Sequence, residues 1–110
     1  MTQNKRSTRY FSKQQEKAVA GLVWGKPTAN SGATPYAKGD VKAKDWLIEC
    51  KTCMTPKKSF AIKKEWLTTI HAEAIQSGKT HYALAYNYGP KQENYYILDE
   101  KTFKALFDED

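Results

Sequence analysis

The stretch GDVKAKDWLIECK, residues 39–51, contains the pattern that decides the fold. In its second half, Trp46, Ile48 and Cys50 alternate with a second set of side chains, a period of two residues that is typical of a β-strand. We expect these three side chains to face the core. The first half, Gly39–Ala43, predicts a shorter strand, and a hairpin would pair it with the strand that follows.

This hairpin would bring together the acidic side chains of the stretch. Glu49 and Lys51 project from the same face of the second strand, because two residues along a strand advance about 6.6 Å and return to one face. Asp40 begins the preceding strand, so pairing would place its carboxylate beside Glu49. Two adjacent carboxylates repel each other, and a divalent cation between them offsets that repulsion. The alternative from spacing alone is a solvated strand face with Asp40 as a turn residue.

Such an arrangement would suit phosphodiester hydrolysis. A hard cation such as Mg²⁺ takes oxygen ligands and keeps bound waters, one of which can become a nucleophile. Lys51 beside the metal could orient or deprotonate that water, or offset charge on the phosphate under attack. The residues therefore predict a metal site with a lysine next to it.

A helix is predicted upstream, over residues 13–24. Ser12 followed three residues later by Gln15 is a capping-box signature, and Gly25 followed by Pro27 would end the helix. The next segment, TANSGATPYAKG, predicts a short strand and a flexible loop. The apolar stripe of the helix consists of Val19, Leu22 and Val23.

The downstream sequence predicts a second helix, two more strands and a last helix. Apolar residues repeat every four positions over Phe60–Ser77, and HYALAYNY (81–88) is apolar enough for a central strand. Tyr95–Leu98 predicts another strand, and Asp99 a cap for a short helix. Its inward-facing residues would be Phe103, Leu106 and Phe107. This order of elements predicts an α/β fold, with one mixed sheet flanked by helices.

The charge distribution predicts a polyanionic partner. The chain of 110 residues has 18 Lys and Arg against 12 Asp and Glu, a net charge of +6. Residues 1–64 hold 14 of those cations and only four acids, which gives +10, whereas residues 65–110 come to −4. This asymmetry favours nucleic acid as the partner. We expect a flexible basic arm over residues 1–11 and one domain over 12–110.

Composition also excludes several classes of protein. No apolar run approaches the ~20 residues of a membrane span, and MTQNKRSTRY lacks the apolar segment of a secretory signal. Cys50 and Cys53 form a lone C-x-x-C, whereas a zinc site needs four ligands, and His71 and His81 lie far downstream. We therefore expect a core cysteine at position 50 and a cytoplasmic protein, in the host cytoplasm if the chain is encoded by a phage.

These features together resemble the PD-(D/E)XK nuclease superfamily, and within it the small Holliday junction resolvases of phages and archaea. The resemblance runs from about Ser12 to Tyr88. It includes a helix with an early acid, a Ser-Gly loop, the strand motifs GDV and LIECK, an amphipathic helix and a buried strand. Gly39 stands where a proline often precedes the aspartate. The resemblance implies a restriction-endonuclease-like αβββαβ core.

The resemblance also implies a role for each site residue. Asp40 and Glu49 would be direct ligands of Mg²⁺, or of Mn²⁺ in its place, with the Cys50 backbone carbonyl as a third oxygen. Glu16 would act through a metal-bound water, and Lys51 would be the catalytic lysine. The remaining candidate is Ser31, which would lie near the scissile phosphate.

The implied activity is endonucleolytic cleavage of DNA at four-way junctions by a homodimer, as part of DNA recombination. Two alternatives stay open: a nicking or repair-type endonuclease of the same superfamily, and a catalytically inactive DNA-binding module of the same fold. Basic residues near the site and in the arm would contact phosphates. They are Lys5, Arg6, Arg9, Lys38, Lys57, Lys58, Lys63 and Lys64.

Overall fold

Three helices and five strands make up the part of the chain, residues 8–28 and 39–108, that a computed structural model describes. In the sheet, strands that are consecutive in sequence also pair in space. The pair β3 with β4 is parallel, and the other three pairs are antiparallel. The expected α/β fold with a mixed sheet is confirmed. In chain order the elements are α1 (Thr8–Val23), β1 (Lys26–Pro27), β2 (Val41–Lys42), β3 (Trp46–Lys51), α2 (Lys64–Gln76), β4 (His81–Tyr86), β5 (Tyr95–Ile97) and α3 (Glu100–Ala105).

Helices cover both faces of β3, so its alternation divides the core into two layers. Ile48 packs with Val19 of α1 on one face, and Trp46 and Cys50 lie partly buried beside them, as the sequence predicts. On the other face, Leu47 is fully buried and packs against Ile70 and Ala74 of α2. These three residues form the second layer of the core. Glu49 and Lys51 therefore lie on a face that is covered in part, rather than on an open one.

Helix α1 begins at Thr8, four residues before the predicted cap at Ser12. Residues 8–11 are helical where the sequence predicts a flexible arm, and residues 1–7 lie outside the described residues. Side chains in the first turns explain the longer helix, because Gln14 donates a hydrogen bond to the Tyr10 hydroxyl at 3.0 Å and Tyr10 packs edge-on against Phe11. The contact between positions 10 and 14 supports a helix without the predicted cap.

Two other helix predictions need correction. Helix α2 begins at Lys64 and not at Phe60, because the Phe60 ring stacks on Tyr86 of β4, with ring centres 5.7 Å apart. Asp99 caps α3 as predicted, by accepting a hydrogen bond from the Thr102 N–H. The buried residue of α3 is Thr102, however, and its apolar residues point outward. The three side chains that the sequence predicts to face inward are exposed instead: Phe103, Leu106 and Phe107.

Within residues 8–28 and 39–108, no helix combines the length and the apolar character needed to cross a membrane.

The turn before β2 positions the first residue of the candidate site. Gly39 has φ +68°, and a Cβ at this position would lie 2.6 Å from the Leu47 Cγ. Its N–H donates to the Glu73 carboxylate of α2 at 2.9 Å. The turn is therefore closely packed between β3 and α2, immediately before Asp40.

We predict that Gly39→Ala lowers the free energy of unfolding by about 1–3 kcal/mol more than Gly78→Ala does. Gly78 has φ +72° but nothing within 4 Å of an added Cβ, so this control carries the backbone penalty without the collision. Urea unfolding of both variants measures the difference. Equal losses would show that Leu47 does not pack against the turn as described.

Candidate active site

The pairing of β2 with β3 fixes Asp40. The antiparallel register pairs Val41 with Ile48, and the Asp40 N–H extends the ladder by donating to the Ile48 carbonyl at 2.9 Å. The Asp40 Oδ2 accepts a hydrogen bond from the Cys50 N–H at 2.8 Å. Because Cys50 lies next to Glu49, the hairpin brings the two acids together, in agreement with the predicted pairing.

Glu16 of α1 lies within electrostatic reach of the same aspartate. Burial raises the pKa of Glu16 from 4.5 to about 7, and repulsion from Asp40 adds to the shift. Glu49 shows the same two causes in the same order, and its pKa also rises to about 7. Asp40 thus interacts with an acid from the first helix and with an acid from the central strand.

Lys51 is held between Glu49 and an aromatic ring of α2. Its Nζ lies 3.6 Å from the Glu49 Oε2 and 4.5 Å from the centre of the Trp66 ring. Both side chains of the ion pair remain partly exposed, with about a quarter of their surface accessible. Attraction to Lys51 offsets part of the rise in the pKa of Glu49. The ammonium group therefore has a defined position next to the acids.

Helix α2 contributes two residues that the sequence analysis missed. The Glu73 carboxylate binds the Gly39 N–H and adds to the repulsion that raises the pKa of Glu49. Trp66 lies under Lys51. The sequence does contain a signal for Glu73, because this acid lies between Ile70 and Ala74 along the buried stripe of the helix. An acid next to such a stripe indicates a specific partner.

The two cysteines contribute packing. Both have free thiols; Cys53 is buried, and Cys50 packs partly buried against the core as expected. Burial raises the pKa of the Cys50 thiol, with repulsion from Asp40 as the next cause, so it stays protonated at neutral pH. The two histidines contact aromatic rings instead, His71 on Tyr82 and His81 on Trp46.

A divalent cation would have to be held by few side chains. Among residues 8–28 and 39–108, no group of three or more His, Cys, Asp or Glu side chains is arranged to hold a metal ion. The expected ligand set needs only the carboxylates of Asp40 and Glu49, with the Cys50 carbonyl as a third oxygen and Glu16 acting through water. Carboxylates that repel one another are a donor set that a hard cation fits, since it would remove the repulsion.

Exposed cations lie on the α2 side of this site. Lys63 has its Nζ 5.9 Å from the centre of the Trp66 ring, the same ring that Lys51 approaches. Arg9 is exposed on α1. Four candidates fall outside the described residues: Lys5, Arg6, Ser31 and Lys38. The remaining exposed lysines near the start of α2 are Lys57, Lys58 and Lys64.

Comparison with protein-family models, with curated proteins and with solved structures finds no match to this chain.

We predict that the metal-free protein becomes less stable as the pH rises from about 4.5 to about 7. In this window the folded protein keeps protons on Glu16 and Glu49 that the unfolded chain, with ordinary pKa values of 4.5, releases. The free energy of unfolding, measured with urea in the presence of a chelator, should decrease across the window.

Glu49→Gln should reduce that decrease, because the amide does not titrate. Glu93→Gln makes the same chemical change at an exposed position and should keep the wild-type dependence. If the two variants showed the same dependence on pH, the burial and repulsion assigned to Glu49 would be wrong.

Proposed function

We propose that this chain is a metal-dependent DNA endonuclease with a PD-(D/E)XK site, which hydrolyses phosphodiester bonds. The observation that supports it best is the hairpin that places Asp40 beside Glu49, with the Lys51 Nζ 3.6 Å from the Glu49 carboxylate and Glu16 within electrostatic reach of Asp40. On a solvated strand face, water would screen these acids from one another, and Asp40 would not raise the pKa values of Glu16 and Glu49. The element order α1-β1-β2-β3-α2-β4 supports a restriction-endonuclease-like core.

In this proposal the carboxylates hold a Mg²⁺ ion, for which Mn²⁺ can substitute. Asp40 and Glu49 would bind it directly, the Cys50 carbonyl oxygen would be a further ligand, and Glu16 would act through a water on the ion. When bound, the cation supplies a water of lowered pKa and offsets negative charge on the phosphate. The Asp40 carboxylate is oriented for this role by the Cys50 N–H, so its position does not depend on the ion.

Lys51 and Glu16 have roles that follow from their surroundings. The ammonium group of Lys51, fixed between Glu49 and Trp66, offsets charge that develops on the attacked phosphate. In the metal-free protein Glu16 has a pKa of about 7, and a bound cation would favour its ionised form, which can accept a hydrogen bond from a metal-bound water. Ser31 is proposed to lie near the scissile phosphate.

The proposed substrate is a four-way DNA junction. The resemblance to junction resolvases supports it, and so does the exposed lysine group at the start of α2, which suits contacts to phosphates rather than to base edges. Two symmetric cuts suit a homodimer. The almost fully exposed Trp24, with Leu22 and Leu106 nearby around a shared cavity, offers an apolar surface for one. Such an enzyme would act in the cytoplasm.

We predict that Asp40→Asn and Glu49→Gln each reduce Mg²⁺-dependent cleavage of a four-way junction at least about 100-fold. The amide introduced by Asp40→Asn keeps an oxygen for the Cys50 N–H, so the fold should be preserved while the charge is lost. Junction binding, measured by gel shift, should stay near the wild-type level. The assay is single-turnover cleavage of labelled junctions.

Glu93→Gln is the matched control and should cleave at the wild-type rate. Near wild-type cleavage by Asp40→Asn would refute the assigned site. A panel of junction, flap, nicked and linear duplex DNA separates the alternatives. Equal rates on linear duplex would favour the nicking or repair-type endonuclease, and binding without any cleavage by the wild type would favour the inactive module.

A further inference from the structure

Five partly exposed aromatic side chains form a continuous group that belongs to neither layer of the core. Their ring centres follow one another closely, since Trp66 lies 6.1 Å from Phe60 and Phe60 lies 5.7 Å from Tyr86. We call this group the aromatic cluster. A group of exposed apolar side chains on a soluble protein commonly marks a binding surface. The members of the cluster are Phe60, Trp66, Tyr86, Tyr88 and Tyr95.

Tyr95 of β5 is the most exposed member, with 46% of its surface accessible. Its ring lies 5.8 Å from Tyr86, its partner in the β4–β5 register, and 5.9 Å from Tyr88. The contact with Tyr88 is edge-on, at an interplanar angle of 71°. An edge-on contact covers at most one face of one of the two rings. A ligand in solvent can therefore reach the Tyr95 ring.

The other end of the cluster adjoins the candidate active site. The Lys51 Nζ lies 4.5 Å from the centre of the Trp66 ring and 3.6 Å from the Glu49 carboxylate. Trp66 is thus shared between the cluster and the site. A ligand that extends along the rings would therefore pass next to the candidate catalytic lysine.

Positive charge accompanies the rings. Lys63 lies within cation–π range of the indole, with its Nζ 5.9 Å from the ring centre. The Lys57 N–H donates to the Tyr88 carbonyl at 2.8 Å, which holds this loop alongside the cluster. Among the described residues, four exposed lysines here outnumber the exposed acids that adjoin the cluster in sequence, Glu65 and Glu93. The lysines are Lys57, Lys58, Lys63 and Lys64.

The combination of rings and lysines indicates a single-stranded nucleic acid as the ligand. Proteins bind such strands through cations that attract the phosphates and aromatic side chains on which the bases stack. Duplex DNA keeps its bases stacked inside the helix, so lysines alone would serve to bind it. Exposed rings beside the lysines therefore favour unpaired bases.

We propose that the aromatic cluster binds unpaired bases of a single DNA strand, with one of them stacked on Tyr95. The assignment to a DNA substrate rests on the proposed nuclease function. Because Trp66 contacts Lys51, a strand bound along the cluster would lead toward the candidate active site. The substrate would then be a branched DNA in which unpaired nucleotides adjoin the phosphate to be cut.

Fluorescence anisotropy with labelled oligonucleotides tests the cluster directly. The full chain is titrated, in the presence of a chelator, into a single strand of about 12 thymidines and into an abasic strand with the same number of phosphates. We expect the thymidine strand to bind at least about tenfold more tightly, because each stacked base adds affinity. Equal affinity for the two strands, or no binding of either, would overturn the proposal.

Tyr95→Leu removes the exposed ring and keeps an apolar side chain. Tyr96→Leu is the matched control, because this tyrosine is 38% exposed and points to the opposite face of β5. We expect Tyr95→Leu to weaken binding of the thymidine strand at least about fivefold and to leave the abasic strand unaffected, whereas Tyr96→Leu should bind both strands like the wild type. Equal losses in the two variants would place the bases elsewhere and overturn the proposal. A change of oligomeric state in Tyr95→Leu, measured by sedimentation, would overturn it as well, since a second copy would then cover the rings.

These measurements also separate the base-binding cluster from the nuclease function. They involve no metal and no cleavage, so a chain that distinguishes the two strands through Tyr95 but cuts no DNA would refute only the nuclease function. Conversely, a chain that cuts junctions but binds the two strands equally would refute only the role of the aromatic cluster.

Discussion

The hydrogen bond from the Cys50 N–H to the Asp40 carboxylate is the interaction on which the site depends. It joins the start of the short strand β2 to the central strand β3 and fixes one acid beside another. Glu73 supports the same turn from α2 by accepting a hydrogen bond from the Gly39 N–H. The carboxylate is thus positioned by backbone groups of elements that the two core layers hold in place.

Placing acids in this way has an electrostatic cost. Burial and repulsion from Asp40 raise the pKa values of Glu16 and Glu49 to about 7, which means that the metal-free fold keeps protons on groups that water would leave ionised. Shifted pKa values of this kind are common where a function needs them. Lys51 offsets only part of the repulsion, so a divalent cation is the counter-charge that the proposed nuclease would use.

Local patterns in the sequence are enough to predict the part of the site that lies on one hairpin. The period of two residues determines which side chains of β3 share a face, and the hairpin then places Asp40 next to Glu49. Residues whose roles arise from packing between distant elements escape such patterns. The sequence indicates a helix cap that includes Gln15, yet this side chain is buried against the ends of β3 and β4, 36 residues or more away in sequence.

The helix ends show the same limit. A capping box at Ser12 is a local signal for the start of a helix. Side-chain contacts of Tyr10 instead extend the helix toward the N-terminus, beyond Ser12. In α3 the apolar period predicts an inward face, whereas a cap at Asp99 and a buried Thr102 turn that face to solvent. Such outcomes depend on where each helix packs against the sheet. The apolar repeat of a single helix does not determine that position.

Calorimetric titration of Mg²⁺ into the full chain at pH 7, in two buffers with different heats of ionisation, tests the central claim most directly. We expect saturable binding that releases protons, because Glu16 and Glu49 have pKa values near the working pH and must ionise to face the cation. Asp40→Asn should abolish the signal. A titration with no heat in either buffer, or one that Asp40→Asn leaves unchanged, would contradict the assignment of these carboxylates as a metal site.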